Sequence, residues 1–352
     1  MAMIKTKKTL KKRAINWKLF LIPALCLVGL FLFYYIVPTA SGTYTITVLN
    51  GALIFYVANI GCALMLGQCG LVSFASVAFM GIGGYASALL AARLGMNPFL
   101  AMLLAAVLAM LIAWLLGLVL MRLNGTFFTF STIALVQICY TIFNGWKKVT
   151  GGPNGIPQIP GFRLFGWEAK SYFDNYYILI TLCIVAALIA IRLKKTNLGR
   201  AMSSVRDNEL VAMTMGVNVY KTKVIAFAVS AAFAGFAGAA LVHSSHYVVS
   251  TYFTFDNATT YIIQVMVGGV YNVVGVFFGT VLITMLPEWL RPLQEYIRLV
   301  YGLGVILLMI FMPMGIWGAA SGLVKRLKKK LHIHSKVTTI GCSTVNLEVD
   351  EQ

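Results

Sequence analysis

Apolar runs of transmembrane length follow one another along most of the chain, separated by short polar or glycine-rich breaks. The runs fall at 19–37, 44–66, 71–92, 98–121, 126–144, 175–192, 223–243, 257–270, 272–287 and 297–317. A helix needs about 20 apolar residues to cross a hydrocarbon core about 30 Å thick. The pattern therefore predicts an all-α polytopic membrane protein with about ten transmembrane helices, 257–270 and 272–287 being short enough to form one interrupted element. The first run is too long for a signal-peptide core, and no small-residue cleavage site follows it. It reads as a retained signal anchor.

Composition agrees with the pattern: 60% of the 352 residues are hydrophobic and 11% are charged, against about 25% charged in soluble domains. Length alone would suggest two soluble domains. The lack of long polar stretches predicts instead one membrane-embedded domain over 19–318, flanked by a basic segment at 1–18 and a tail at 319–352. The net charge of +18 is concentrated: of 28 Lys and Arg, seven lie in 1–18, seven in 192–223 and six in 325–336. Basic residues near span ends mark the cytoplasmic side. Both termini and the 193–222 connector are thus expected in the cytoplasm, which requires six spans before the connector and an even number after it. Ten spans satisfy this and place the loop 145–174 outside. The basic clusters serve topology and attraction to anionic lipid, rather than nucleic acid.

Cys26, Cys62, Cys69, Cys139, Cys183 and Cys342 lack metal-type spacing, and all but the last lie in or beside apolar runs. They read as small core residues. The outer loop is rich in Gly and Pro, with Trp146 and Trp167 suited to a membrane interface. Either a loop resting on the membrane or a docking surface for an external partner accounts for it. Beyond about residue 331 the tail has no periodicity and is expected to be disordered.

The ten acidic residues are Glu168, Asp174, Asp207, Glu209, Asp256, Glu288, Glu295, Glu348, Asp350 and Glu351, and none falls within a run. Ion-coupled carriers, pumps and voltage sensors mark their pathways with intramembrane ionisable groups. This argues against such a carrier, although backbone carbonyls can hold sodium. No phosphate-binding G-x-x-x-x-G-K-[ST] loop, zinc helix or Ser/His/Asp constellation is present. A membrane enzyme has no visible chemistry here, and powered transport would need its engine in a partner.

Two glycine-rich stretches look able to line a passage. The first, "GQCGLVSFASVAFMGIGGYAS", carries Gln68, Ser73, Ser76, Gly81, Gly83 and Gly84; the second, "YIIQVMVGGVYNVVGVFFGTVLIT", carries Gln264, Gly268 and Gly269. Small residues allow close helix crossings, and they also let interrupted helices expose backbone to a cavity at mid-membrane depth. One stretch in each half of the chain suggests two pseudo-repeated halves.

The connector "NLGRAMSSVRDNELVAMTMGVNVYKTK" carries start and stop signals. Residues 198–206 predict one short helix. Asp207 suits the N-cap of a second over 208–215, with Gly216 at its left-handed C-terminal stop. Together they would present Met202, Val205, Leu210, Val211 and Met213 beside Arg200, Arg206 and Glu209. Such a ridge can dock into a groove of another protein, or lie on lipid headgroups.

That connector, continued through "VIAFAVSAAFAGFAGAAL", resembles the signature region of the permease subunits of branched-chain amino-acid transporters of the ATP-binding cassette class. The pattern is Gly-Arg-Ala, Arg-Asp-x-Glu, a Gly-Val-Asn turn, then a span ending Ala-Gly-x-Ala-Gly-Ala. "GLVSFASVAFMGIGGYASALL", "TGGPNGI", "VGGVYNVVGVFFGTVLITMLPEWL" and "MPMGIWG" resemble further segments of that family, in the same order, over most of 45–318. Ser73-Phe74-Ala75-Ser76 departs from the family's Ser-Leu-Gly-His/Gln, and the tail after Gly318 is atypical.

The resemblance implies an importer permease in the bacterial plasma (inner) membrane. It works with a second homologous permease, two cytoplasmic ATPases that bind ATP and Mg, and an extracytoplasmic amino-acid-binding protein. This chain itself would bind no cofactor and have no enzyme activity. Gly199, Arg200, Arg206, Asp207, Glu209, Leu210 and Gly216 become the ATPase-coupling segment, and Leu, Ile or Val the cargo. Urea, amides and other small organic molecules are alternative cargoes within the family, and an ATP-independent carrier is the alternative class.

Overall fold

The computed structural model describes residues 43–123, 125–164, 167–168 and 171–290, together with 302, 303, 306, 315 and 318. The helices are α1 (Thr43–Cys69), α2 (Ser76–Leu94), α3 (Pro98–Leu120), α4 (Gly125–Gly145), α5 (Lys147–Thr150), α6 (Tyr172–Lys195), α7 (Asn197–Asp207), α8 (Glu209–Thr214), α9 (Val219–Ser245), α10 (Phe255–Gly268) and α11 (Val273–Trp289). Strands β1 (Arg163–Leu164) and β2 (Trp167–Glu168) form a two-residue antiparallel hairpin.

Among the described residues six helices, α1, α2, α3, α4, α6 and α9, are long and apolar enough to cross a membrane, and each coincides with an expected span. The expected spans 257–270 and 272–287 appear as α10 and α11. Gln264 and Gly268 of α10 meet Gly279 of α11, so the pair forms an antiparallel hairpin. The expected anchor at 19–37, the segments 1–18 and 319–352, and most of 297–317 lie outside the described residues.

One boundary differs from expectation. The run 71–92 is not helical until Ser76. Gly70 adopts φ +71° and ends α1, and the next residues bond to side chains instead of a helical ladder. Phe74 N–H donates to Thr132 Oγ1 at 3.2 Å, Thr129 Oγ1 to the Val72 carbonyl at 3.2 Å, and Ala75 N–H to Ser73 Oγ at 3.3 Å. The threonines of α4 thus satisfy an irregular backbone within an apolar setting, where unsatisfied groups cost several kcal/mol.

α1 is the central helix, packed against α9, α6, α10 and α11. Its neighbour α9 reaches it, α2 and α3 through residues without bulk. A Cβ at Gly61 would lie 2.5 Å from the Ser230 carbonyl oxygen, and one at Gly235 2.5 Å from Ala109 Cβ. Added Cβ atoms at Gly83 and Gly238 would collide with the Gly235 and Met80 carbonyls. In lipid, where burial of apolar groups gives little net gain, this close packing is what holds helices together. α3 turns Leu103, Leu111, Leu115 and Val119 outward, and α4 does the same with Phe127, Phe130 and Ile138.

At one end of the bundle the segment 146–164 is folded onto the connection after α9. Ile156 and Val248 exchange backbone bonds of 3.0 and 3.1 Å, Ile159 N–H donates to the His246 carbonyl at 3.1 Å, and Tyr247 Oη donates to the Asn154 carbonyl at 3.0 Å. Gly155, at φ +67°, passes so close to Val248 that any Cβ would strike its carbonyl. His243, fully buried, has Nδ1 2.7 Å from the Pro160 carbonyl and Nε2 2.8 Å from Ser87 Oγ. The carbonyl only accepts, so Nδ1 carries a proton there. The opposite end carries α7 and α8.

Candidate functional site: the connector and a buried polar cluster

Thr196 starts α7. Its Oγ1 accepts from Gly199 N–H at 3.4 Å and donates to the Leu193 carbonyl at 2.6 Å. The chain doubles back so tightly that a Cβ at Gly199 would lie 2.5 Å from the carbonyl oxygens of both Leu193 and Lys194. Arg200 closes the same corner by donating to the Lys195 carbonyl at 3.1 Å and to Asn197 Oδ1.

The second helix begins one residue later than expected. Asn208, not Asp207, is its N-cap, accepting from Leu210 and Val211 N–H at 2.9 and 3.2 Å. Asp207 ends α7, and its carboxylate is taken by Arg206 Nε and Nη2 at 3.0 and 2.7 Å. Asn208 has the extended backbone that a cap requires, at φ −164° and ψ 116°. Gly216 stands where the stop signal places it, at φ +81°, while Val217 N–H bonds the Ala212 carbonyl at 3.0 Å.

The expected single ridge is split. Met202 and Val205 of α7 are each 1% exposed. Met202 packs with Met65, Cys69 and Phe79 beneath the bundle, and Val205 with Ala212 and Val219. Of the two helices only α8 presents apolar side chains outward, with Leu210, Val211 and Met213 exposed, and Met215 just after it is exposed as well. Glu209 is held by Lys223 Nζ at 2.7 Å, pinning α8 to the N-terminal part of α9. Arg206 also points inward, donating to the Gly67 carbonyl at 2.8 Å.

The expected pathway residues fall into four groups. Gln68 lies at the connector, where its Oε1 accepts from Ser203 Oγ at 2.9 Å. Ser73 belongs to the irregular segment before α2, and Ser76 is the first residue of α2. Gly81, Gly83 and Gly84 sit at crossings, Gly81 against Phe143 and Phe253, Gly83 and Gly84 against α9. Gln264, Gly268 and Gly269 lie in the α10–α11 hairpin, where a Cβ at Gly268 would be 2.5 Å from the Gly275 carbonyl oxygen.

Gln264 anchors a cluster that the sequence does not single out. Asn59, near the middle of α1, donates through Nδ2 to Gln264 Oε1 at 2.6 Å and to Thr280 Oγ1 at 2.9 Å. Gln264 Nε2 donates to Thr284 Oγ1 at 3.1 Å. Asn59, Gln264 and Thr280 are at most 1% exposed. The cluster fastens α1 to both arms of the hairpin. An amide in an otherwise apolar span was the available signal.

The sequence pattern of the family described as "Branched-chain amino acid transport system / permease component" matches residues 44–342. The chain belongs to this family. It is a multi-pass transport permease component. The high-affinity branched-chain amino acid transport system permease protein LivM of Escherichia coli is 29% identical over 325 residues, covering 86% of this chain and 75% of that protein. LivM of Salmonella typhimurium is 29% identical over 287 residues, covering 75% and 68%. The probable branched-chain amino acid transport permease protein LivH of Methanocaldococcus jannaschii is 24% identical over 310 residues, covering 80% and 95%. No solved structure matches the chain significantly.

Proposed function

We propose that this permease is the membrane subunit of an ATP-driven importer that carries Leu, Ile and Val across a bacterial plasma membrane, with both termini in the cytoplasm. A second homologous permease completes the pathway. Two cytoplasmic ATPases bind ATP and Mg and supply the energy, and an extracytoplasmic binding protein delivers the amino acid against the folded 146–164 segment. The reading rests on the family together with one observation, the outward apolar face of α8 at the end of the bundle. Leu210 is 73% exposed and Met213 51%, on a helix capped by Asn208 and tied to α9 by Glu209. A short apolar ridge held rigidly at a bundle end fits a groove of a partner protein.

Because Arg206 and Glu209 are engaged within this chain, the ATPase contact falls to the apolar face of α8. In an assembly with its ATPases, Leu210→Asp combined with Met213→Asp should lower uptake of labelled leucine about tenfold or more, with the amount of permease in the membrane unchanged. Uptake at the parental rate would refute the assignment. Labelled urea, amides and other small solutes, measured in the same vesicles, test the cargo.

A further inference from the structure

We propose that Arg206 is a positioning residue that joins the connector to the near ends of the pathway helices, so that α7, the end of α1 and the α10–α11 turn move as one body. The inference rests on the permease reading above. A guanidinium offered to an ATPase groove would point away from the bundle. Here the Arg206 side chain is 27% exposed against 67% for its neighbour Asp207, and its donors are turned toward the membrane-spanning helices.

Three separate contacts define the position. Nη1 donates to the carbonyl of Gly67, one of the last four carbonyls of α1, which have no partner within their own helix and carry the negative end of its dipole. The guanidinium lies over the ring of Tyr271, 5.1 Å from its centroid. Its other edge is held by Asp207, which fixes the plane. Only arginine combines a forked donor set with a flat stacking face.

The surroundings are built around that side chain. Gly70 passes beneath it, and a Cβ there would lie 3.0 Å from Arg206 Cγ. A Cβ at Gly67 would collide with the Val270 carbonyl, so the end of α1 touches the hairpin turn directly. Lys194 Nζ grips the same turn from α6, donating to the Tyr271 carbonyl at 3.1 Å. Ser203 holds Gln68 one turn away along α7. A displacement of α7 therefore reaches α1 and the hairpin through contacts that leave little room for slip. Both carry the buried Asn59–Gln264–Thr280 cluster.

The test uses the assembled transporter in proteoliposomes, reading labelled leucine uptake, ATP hydrolysis and recovery of the ATPases with the permease. In Arg206→Gln and Tyr271→Leu the ATPases should be recovered at the parental ratio and hydrolysis should continue. Uptake per ATP should fall about tenfold, within the usual range of coupling between sites. Arg206→Lys should fall as well, since it keeps the charge but not the fork. In a Cys69→Ser background, oxidation of a Gln68→Cys, Ser203→Cys pair should leave uptake at the level of the same pair when reduced, because those positions travel together.

Parental uptake per ATP in Arg206→Gln would overturn the proposal. So would loss of the ATPases from that variant, or uptake that stops on oxidation of the cysteine pair and returns on reduction. If Arg206→Gln does not accumulate, Tyr271→Leu, whose ring is largely exposed, and the cysteine pair decide. Absence of ATP-driven uptake by the unaltered assembly is a different result, which removes the permease reading and this inference with it.

Discussion

The amide of Asn208 accepts two backbone N–H bonds at the start of α8. Replacing it by Ala leaves both donors unpaired and should destabilise that helix by about 1 kcal/mol. Hydrogen exchange at Leu210 and Val211 should then accelerate about fivefold, whereas Asp207→Ala should leave those two amides as protected as before. A different physics governs Gly238, whose missing Cβ leaves space for the Met80 carbonyl of α2. Gly238→Ala forces backbone apart and should destabilise the bundle by about 1–3 kcal/mol, read as a lower unfolding temperature in detergent. Gly145→Ala, where nothing lies within 4 Å, is the control and should change little. The cap and the glycine crossings illustrate what residue-level reading can reach. Side-chain chemistry near 207–208 signalled a helix start, but the choice between adjacent Asp and Asn depended on Arg206, which occupies the carboxylate. Small residues signalled contact, without naming the partner helix.

At the scale of elements, α1 and the α10–α11 hairpin are joined by amides and hydroxyls rather than by apolar packing alone. Asn59→Ala removes the donor to Gln264 Oε1 and to Thr280 Oγ1 and should destabilise the bundle by about 1–3 kcal/mol. Adding Gln264→Leu should cost less than the sum of the two single changes, since the second removes an acceptor already stranded. A double-mutant cycle on thermal unfolding measures the difference. Span positions were legible because long apolar runs leave few alternatives to membrane-crossing helices. The break before Ser76 was hidden, because Leu71-Val72-Ser73-Phe74-Ala75 has the composition of a helix, and Thr129 and Thr132 of another helix satisfy its irregular backbone. In α7 and α8 the periodicity identified apolar faces. It could not assign one to the bundle and the other to the surface, because Met202 and Leu210 are both large apolar residues and the fold decides what is set against each.

At the scale of the whole molecule, the segment 146–164 and the connector close opposite ends of one bundle, with α9 running between them. Gly155 shows how firmly the first is attached, as its left-handed backbone and its contact with Val248 exclude every side chain. Gly155→Val should detach the segment from the α9–α10 connection. If the binding protein docks there, uptake should fall about tenfold while the ATPases remain bound at the other end, a separation that co-purification and labelled-leucine uptake measure together. The three basic clusters and the alternation of spans assigned the connector and the 145–174 loop to opposite ends, but the backbone bridge between Ile156 and Val248 joins positions too far apart in sequence for local pattern to reveal. The short hairpin has a consequence for the surrounding lipid. At about 1.5 Å per residue, the 14 residues of α10 and 17 of α11 reach roughly 21 and 26 Å. Both fall short of a hydrocarbon core about 30 Å thick, while Met266 and Phe278 face outward. The bilayer must thin or flanking polar groups must be drawn inward beside these helices, so acyl-chain length becomes a variable of transport: vesicles of shorter-chain lipid relieve the mismatch and favour the arrangement seen here.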